Sequence, residues 1–280
     1  MCYTIPYKGN YGVKNNKEVR MANKVLTSLQ KLFGKESPRK FHSAVILAAG
    51  NGVRFGDANG KHMTVVEGVP VLVRSVMAFE TCSMVDEIVV VARQEDINTC
   101  RNLLSGITKL TNVIAGGQTR QESAKLGFDA VNPAAELVSI HDAARCLVTP
   151  ELIAKVAEEA ALHGAAAAAE KTVDTVKRAD KYGIITETLD REYIWMVKTP
   201  QTFLADMYRA ASYMAQRDGV TATDDCALAE RLGFKVKLVD CGWENIKITY
   251  PEDVYKAKLI LEMRREREKE EVQYADRTRI

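Results

Sequence analysis

The residues with the clearest chemical potential lie between Leu47 and Lys61. The run Leu47-Ala48-Ala49-Gly50-Asn51-Gly52-Val53-Arg54-Phe55-Gly56 follows a short apolar stretch and leads to Lys61. Small side chains let the backbone approach a ligand closely, and amides left free by such a loop bind phosphate oxygens. It is not a P-loop, because the terminal GK[ST] is missing, and the glycine spacing does not fit GxGxxG. What the segment adds is two fixed cations, Arg54 and Lys61. When the α-phosphorus of a triphosphate is attacked, negative charge builds on the equatorial and leaving oxygens, and preorganised cations stabilise it. A purely structural turn remains open for this loop taken alone.

Such a loop needs a rigid frame. From Ser43 onward short aliphatic runs alternate with helical patterns: residues 44–48, 87–92, 110–115, 137–141 and 235–239. Runs of this length bounded by polar loops predict strands covered by helices on both faces. The expected fold is an α/β, Rossmann-like three-layer sandwich with a mainly parallel sheet, whose ligands sit beyond the carboxyl ends of the strands. Alternation over residues 172–178, a turn at 179–183 and a second run to Leu189 predict a β-hairpin arm, about 172–190, that projects from the domain and pairs with a second copy. Residues 1–40 read as an extension and linker, 41–262 as the domain, and 263–280 as a charged tail whose alternating signs suit a solvated helix end.

Basic and acidic residues nearly cancel, 39 against 37, so the charge balance gives no nucleic-acid footprint. No apolar stretch approaches the roughly 20 residues needed to span a bilayer, and no signal peptide is visible, which predicts a cytoplasmic protein without membrane contact. The six cysteines are scattered, with no CxxC pair and no grouping with the four histidines, and read as free thiols.

The run AAGxGxRxG with a following lysine resembles the signature of the sugar-phosphate nucleotidyltransferases. Further segments narrow the resemblance to the cytidylyltransferases acting on 2-C-methyl-D-erythritol 4-phosphate: Gly116-Gly-Gln-Thr-Arg-Gln-Glu-Ser123, His141-Asp-Ala-Ala-Arg145, Thr199-Pro-Gln201, Thr221-Ala-Thr-Asp-Asp225 and Asn245-Ile-Lys-Ile-Thr249. They occur in the family's order and cover roughly residues 43–262. The resemblance implies CMP transfer from CTP with release of pyrophosphate, a magnesium ion held by Asp142, and a homodimer joined through the hairpin arm. It implies Arg54, Lys61 and Lys247 as the catalytic cations. The nucleotide would be bound by Ala48, Ala49, Gly50, Gly52, Gly117, Gln118, Arg120, Ser123 and Ala143. The acceptor phosphate would be held by Arg191, Thr199 and Thr223, helped by Arg145, with Thr175 donated by the partner. Apart from the resemblance, a strand-end aspartate suits a metal beside an α-phosphate, and Lys247 lies on what reads as a short strand.

The chain departs from the family's usual pattern at Gly60-Lys61-His62, where Pro-Lys-Gln is usual, at Cys146, where proline is common, and at Gln118, where an acid is frequent. A ribitol-5-phosphate cytidylyltransferase shares the fold, nucleotide and cations, but Ala49 and Thr188-Leu-Asp-Arg191 favour the methylerythritol acceptor. A non-catalytic nucleotide-binding subunit would not require the set Arg54, Lys61, Asp142 and Lys247.

Overall fold

The computed structural model describes residues 39–50 and 63–277. The extension at 1–38 and the loop 51–62 therefore lie outside the described residues. Residues from Lys40 onward form one compact unit.

Its centre is a seven-stranded sheet in the order β11-β7-β10-β6-β1-β4-β5. The strands are β1 (His42–Leu47), β4 (Glu87–Ala92), β5 (Leu110–Ala115), β6 (Leu137–Asp142), β7 (Ala165–Lys171), β10 (Trp195–Leu204) and β11 (Lys237–Asp240). β1 pairs parallel with β4 and β6, β4 with β5, and β7 with β11. Only β10 runs against its neighbours β6 and β7. The predicted runs at 44–48, 87–92, 110–115, 137–141 and 235–239 thus correspond to five strands of a mainly parallel sheet.

Both faces of the sheet are covered, which is why its strands are aliphatic throughout rather than alternating. Ala44 and Ile46 of β1 pack with Leu72, Val76 and Phe79 of α1 (Val71–Thr81) and Cys100 of α2 (Ile97–Leu103). Val45 points to the opposite layer, among Ala124 and Phe128 of α3 (Arg120–Asp129), Tyr208 of α5 (Ala205–Arg217) and Cys226 and Ala229 of α6 (Asp225–Arg231). Gly127 permits this close layer, since a Cβ there would lie 2.3 Å from Val45 Cγ1.

Two strands have no strand signature in the sequence. β7 opens with five alanines, all 0% exposed. Alanine favours helix, but here tertiary pairing on both edges decides. Ala166 and Ala168 pack against Val156 and Ala160 of α4 (Pro150–His163), while Ala165 and Ala167 join the α5 and α6 layer. β10 is the other, interrupted by an irregularity between Val197 and Gln201.

The predicted hairpin starts later than expected. β8 (Lys177–Ala179) pairs antiparallel with β9 (Ile185–Thr188), and residues 172–176 form no strand. Asp180 accepts from the amides of Tyr182 and Ile184 to shape the turn. The charged run after residue 263 continues α7 (Asp253–Arg277) without a break. Ala257 and Ile260 anchor that helix, and Arg265 pairs with Glu67 in the turn between β2 (Val65–Val66) and β3 (Val69–Pro70). Among the described residues no helix is long and apolar enough to cross a membrane.

Candidate active site

The carboxyl ends of β1, β4, β5 and β6 open into one cleft of about 390 Å³. Ala48, Ala49 and Gly50 leave β1, Gly116, Gly117, Gln118 and Thr119 leave β5, and Asp142, Ala143 and Ala144 end β6. Lys247 closes the rim. Helix α3 begins at the cleft because Thr119 caps it in a reciprocal box with Glu122. Gly116 is required where it stands: a Cβ would lie 2.4 Å from the Ala49 Cβ and 2.8 Å from Ser123 Oγ. Ser123 ties the loop to the helix, accepting from the Gly117 amide at 3.1 Å and donating to the Thr119 carbonyl at 2.9 Å.

Asp142 organises the charges. Arg120 Nε donates to its Oδ1 at 3.1 Å and Lys247 Nζ to its Oδ2 at 2.6 Å. Arg120 also donates to Asp225 Oδ2 at 2.7 Å, and Asp225 accepts from the Tyr208 hydroxyl at 2.8 Å. Burial pushes the Asp142 carboxyl up, but Arg120 and Lys247 outweigh it and hold the group well below the usual carboxylate range. Burial pushes Arg120 down, and Asp225 and Asp142 reverse that, raising its affinity for its proton.

Beneath Asp142 a chain of neutral hydrogen bonds fixes the strand end. The Asp142 amide donates to Thr199 Oγ1 at 3.0 Å, so the Thr199 proton faces His141 Nδ1 at 3.0 Å. His141 Nε2 faces the Arg145 carbonyl at 3.3 Å and must carry the ring proton. Burial drives the His141 pKa down to about 3, which keeps the ring neutral.

Lys247 does not lie on a strand as its alternation predicts; residues 245–249 form no ladder. It is held instead by buried Ile248, whose amide donates to the Ala144 carbonyl at 2.8 Å. That bond sets Lys247 beside Asp142.

Of the expected nucleotide residues, Ala48, Ala49, Gly50, Gly117, Gln118, Arg120, Ser123 and Ala143 meet in this cleft with Asp142 and Lys247. Gly52, Arg54 and Lys61 lie outside the described residues. The expected acceptor residues do not line the cleft. Thr199 is 3% exposed and its hydroxyl serves Asp142 and His141. Arg145 turns inward and donates to the Asn245 carbonyl at 3.1 Å. Thr175, Arg191 and Thr223 are exposed, with Arg191 donating to the Val173 carbonyl at 2.8 Å.

Several residues at the site carry no role in the sequence reading. Arg93, Gln94 and Glu95 line the cleft just after β4, where the strand-end rule points. Gln201 accepts from the amides of Asp225 and Cys226 at 3.0 and 3.1 Å and donates to Asp224 at 2.9 Å, fixing the start of α6. Asp225 and Gln201 lie in the segments 221–225 and 199–201, but only the fold reveals their partners.

The model of the 2-C-methyl-D-erythritol 4-phosphate cytidylyltransferase family matches residues 42–263. The chain belongs to that family. A relative bearing the family name from Caldanaerobacter subterraneus subsp. tengcongensis is 41% identical over 222 residues, which are 78% of this chain and 98% of the relative. One from Symbiobacterium thermophilum is 39% identical over 79% of this chain and 92% of its own length. The crystal structure of 4-diphosphocytidyl-2C-methyl-D-erythritol synthase from Anaerococcus prevotii aligns with a TM-score of 0.73 at 32% identity, covering 80% of this chain and 96% of that one. Family members at this identity over nearly the whole domain share its nucleotidyltransferase chemistry, so the chain is a CTP-dependent cytidylyltransferase.

Proposed function

We propose that this cytidylyltransferase transfers CMP from CTP to 2-C-methyl-D-erythritol 4-phosphate, giving 4-diphosphocytidyl-2-C-methyl-D-erythritol and pyrophosphate, a step in isoprenoid precursor synthesis. The observation that carries the reading is the pairing of Asp142 with both Arg120 and Lys247 at the strand ends, between two small-residue loops. An acceptor phosphate oxygen attacks the α-phosphorus in line, and the bond to the bridging oxygen breaks with its electron pair leaving on pyrophosphate. The nucleophile is already anionic, so the protein's work is positioning and charge neutralisation rather than proton abstraction.

In this reading the loops at Ala48–Gly50 and Gly117–Ser123 enclose the base. A cavity made for cytosine rejects purines by size and distinguishes uracil through the cost of unmatched buried polar groups. Lys247 meets the reacting phosphate. Arg120, Lys247, Asp142 and Asp225 sum to zero charge, so a triphosphate needs further cations here. Arg54 and Lys61 supply two. A divalent ion, magnesium in the first instance, would supply the rest. Among the described residues no cluster of three or more acidic, histidine or cysteine side chains forms a metal cage. A single carboxylate, Asp142, suits magnesium, which is commonly held by one or two carboxylates together with substrate phosphates. When bound, the ion would neutralise charge on the α-phosphate.

Arg191, Thr175 and Thr223 form the acceptor side, with arginine forks and hydroxyls suited to a phosphomonoester that is held. Thr199 supports the Asp142 end of the cleft from behind, and Arg145 braces the Asn245 segment that leads to Lys247. Val173, Tyr182, Ile184, Ile185 and Tyr193 are large exposed apolar residues around the hairpin. Such a patch suits burial against a second copy, and we assign the hairpin to a homodimer whose partner completes the acceptor side. The reaction uses soluble phosphates, and we place it in the cytoplasm.

Turnover of CTP with 2-C-methyl-D-erythritol 4-phosphate and, separately, with ribitol 5-phosphate tests the assignment. Higher kcat/KM for the methylerythritol acceptor is expected; preference for ribitol 5-phosphate would overturn it.

A further inference from the structure

Gln121 is the second residue of α3, directly after Arg120, and has no part in the chemistry described so far. Its carboxamide reaches the loop that joins α5 to α6. Nε2 donates to the Val220 carbonyl at 3.0 Å, and Oε1 accepts from the Ala222 amide at 2.9 Å. One side chain therefore binds the carbonyl of one residue and the amide of the residue two places on, much as an adjacent strand does. A primary amide can do this because it presents donor and acceptor in one plane.

The loop is also tied at its ends. The Val220 amide donates to the Ala215 carbonyl at 2.9 Å, and Gln201 holds Asp224 at 2.9 Å. Gln121 grips the stretch between, on either side of exposed Thr221 and just before exposed Thr223. A cavity of about 240 Å³ lies beside Gln121 and Thr221, giving an untethered loop room to move. On the other side of the same helical turn, Arg120 bonds Asp142 in the nucleotide cleft and Asp225 at the far end of the loop. Residues 120 and 121 thus join the two substrates' surroundings through one turn of helix.

The geometry points to Gln121 as a positioning residue that sets the 220–223 loop, and with it the acceptor, against the bound nucleotide. This rests on the assignment of Thr223 to the acceptor side. A role of this kind is separable from simple structural support, because it affects one substrate and spares the other.

The test uses the full chain in steady-state turnover, with CTP and 2-C-methyl-D-erythritol 4-phosphate varied in turn, for Gln121→Met, Gln121→Glu and Thr223→Val. Met keeps the length and loses both bonds; Glu keeps the acceptor oxygen and loses the donor. Loss of both hydrogen bonds predicts a rise of about tenfold in acceptor KM for Gln121→Met, and a rise also for Gln121→Glu, whose second carboxylate oxygen would face the Val220 carbonyl. KM for CTP and the melting temperature stay near the parent values. Should Gln121→Met fold poorly, Gln121→Glu carries the comparison. A rise in acceptor KM for Thr223→Val with none for the Gln121 variants overturns the inference and leaves the acceptor assignment standing. Equal rises in both substrates' KM with a lowered melting temperature also overturn it, since that is general support. No change in any of the three variants overturns the acceptor assignment and the inference together.

Discussion

The cleft around Asp142 and the hairpin region at 172–193 are built on opposite terms. In the cleft the central charges are paired with one another: Asp142 meets Arg120, Lys247 and, through its amide, Thr199, while Asp225 meets Arg120 and Tyr208. Around the hairpin the large side chains face outward, with Val173, Tyr182 and Tyr193 each about three-quarters exposed. Arg191 bonds a backbone carbonyl rather than a charge. On the proposed roles, one chain preorganises the nucleotide half around Asp142, and the second copy that covers the hairpin finishes the acceptor half. Preorganised charge at the first half is where the largest catalytic contribution is expected.

Breaking the ordered half has the largest expected effect. Asp142→Asn removes the charge that both Arg120 and Lys247 share, and pyrophosphate release should fall on the order of 10³-fold in kcat, as for loss of a preorganised electrostatic partner. Arg191→Ala sharpens the contrast: acceptor KM should rise about tenfold or more, as expected for one charged hydrogen bond, with KM for CTP unchanged. Gly116→Ala should do the reverse. Its Cβ would meet Ala49 and Ser123, and overpacking costs of about 1–3 kcal/mol predict a KM for CTP raised roughly tenfold, with acceptor KM unchanged.

A smaller effect concerns pH. The folded pKa of His141 is lowered from 6.5 to about 3 by burial, so the unfolded chain takes up a proton that the folded chain refuses. Stability is full above about pH 6.5 and declines as pH falls towards 3, with a slope of up to about 1.4 kcal/mol per pH unit. Denaturant titrations across that range should show a shallower slope for His141→Gln. Asp142 acts in the same direction at lower pH: its depressed folded pKa gives stability that is lost as pH drops below about 4. The smallest effect belongs to the hairpin's exposed Arg178–Glu187 pair, where Glu187→Ala should change stability by less than about 1 kcal/mol and leave KM for CTP alone.

Much of the ordered half is legible in the sequence because it is local. β1, β4, β5 and β6 are short runs rich in β-branched residues, and the loops that follow them carry the small residues of the cleft. The glycines at 116 and 117 fall at a strand end, and Asp142 is singled out by its strand end together with the motif His141-Asp-Ala-Ala-Arg145. The unread parts depend on distance along the chain. Arg120 meets Asp225 across 105 residues, and Gln121 meets Ala222 across 101. No local pattern encodes such pairs. β7 was hidden because five alanines have no strand propensity and become a strand only between β10 and β11. The alternation of Asn245-Ile-Lys-Ile-Thr249 predicts a strand at Lys247, whereas those isoleucines anchor an irregular segment against the core. Thr199 and Arg145 are acceptor contacts by resemblance, and their own bonds here, to Asp142, His141 and Asn245, follow from the fold and have no local signature.

Lys247→Met offers the most direct test of the cleft as the place of phosphate transfer, measured as pyrophosphate release at saturating substrates alongside CTP binding by calorimetry. The account predicts a loss of about 10²-fold or more in kcat, the scale of one preorganised cation, with CTP affinity kept within severalfold. Turnover equal to the parent protein would contradict it.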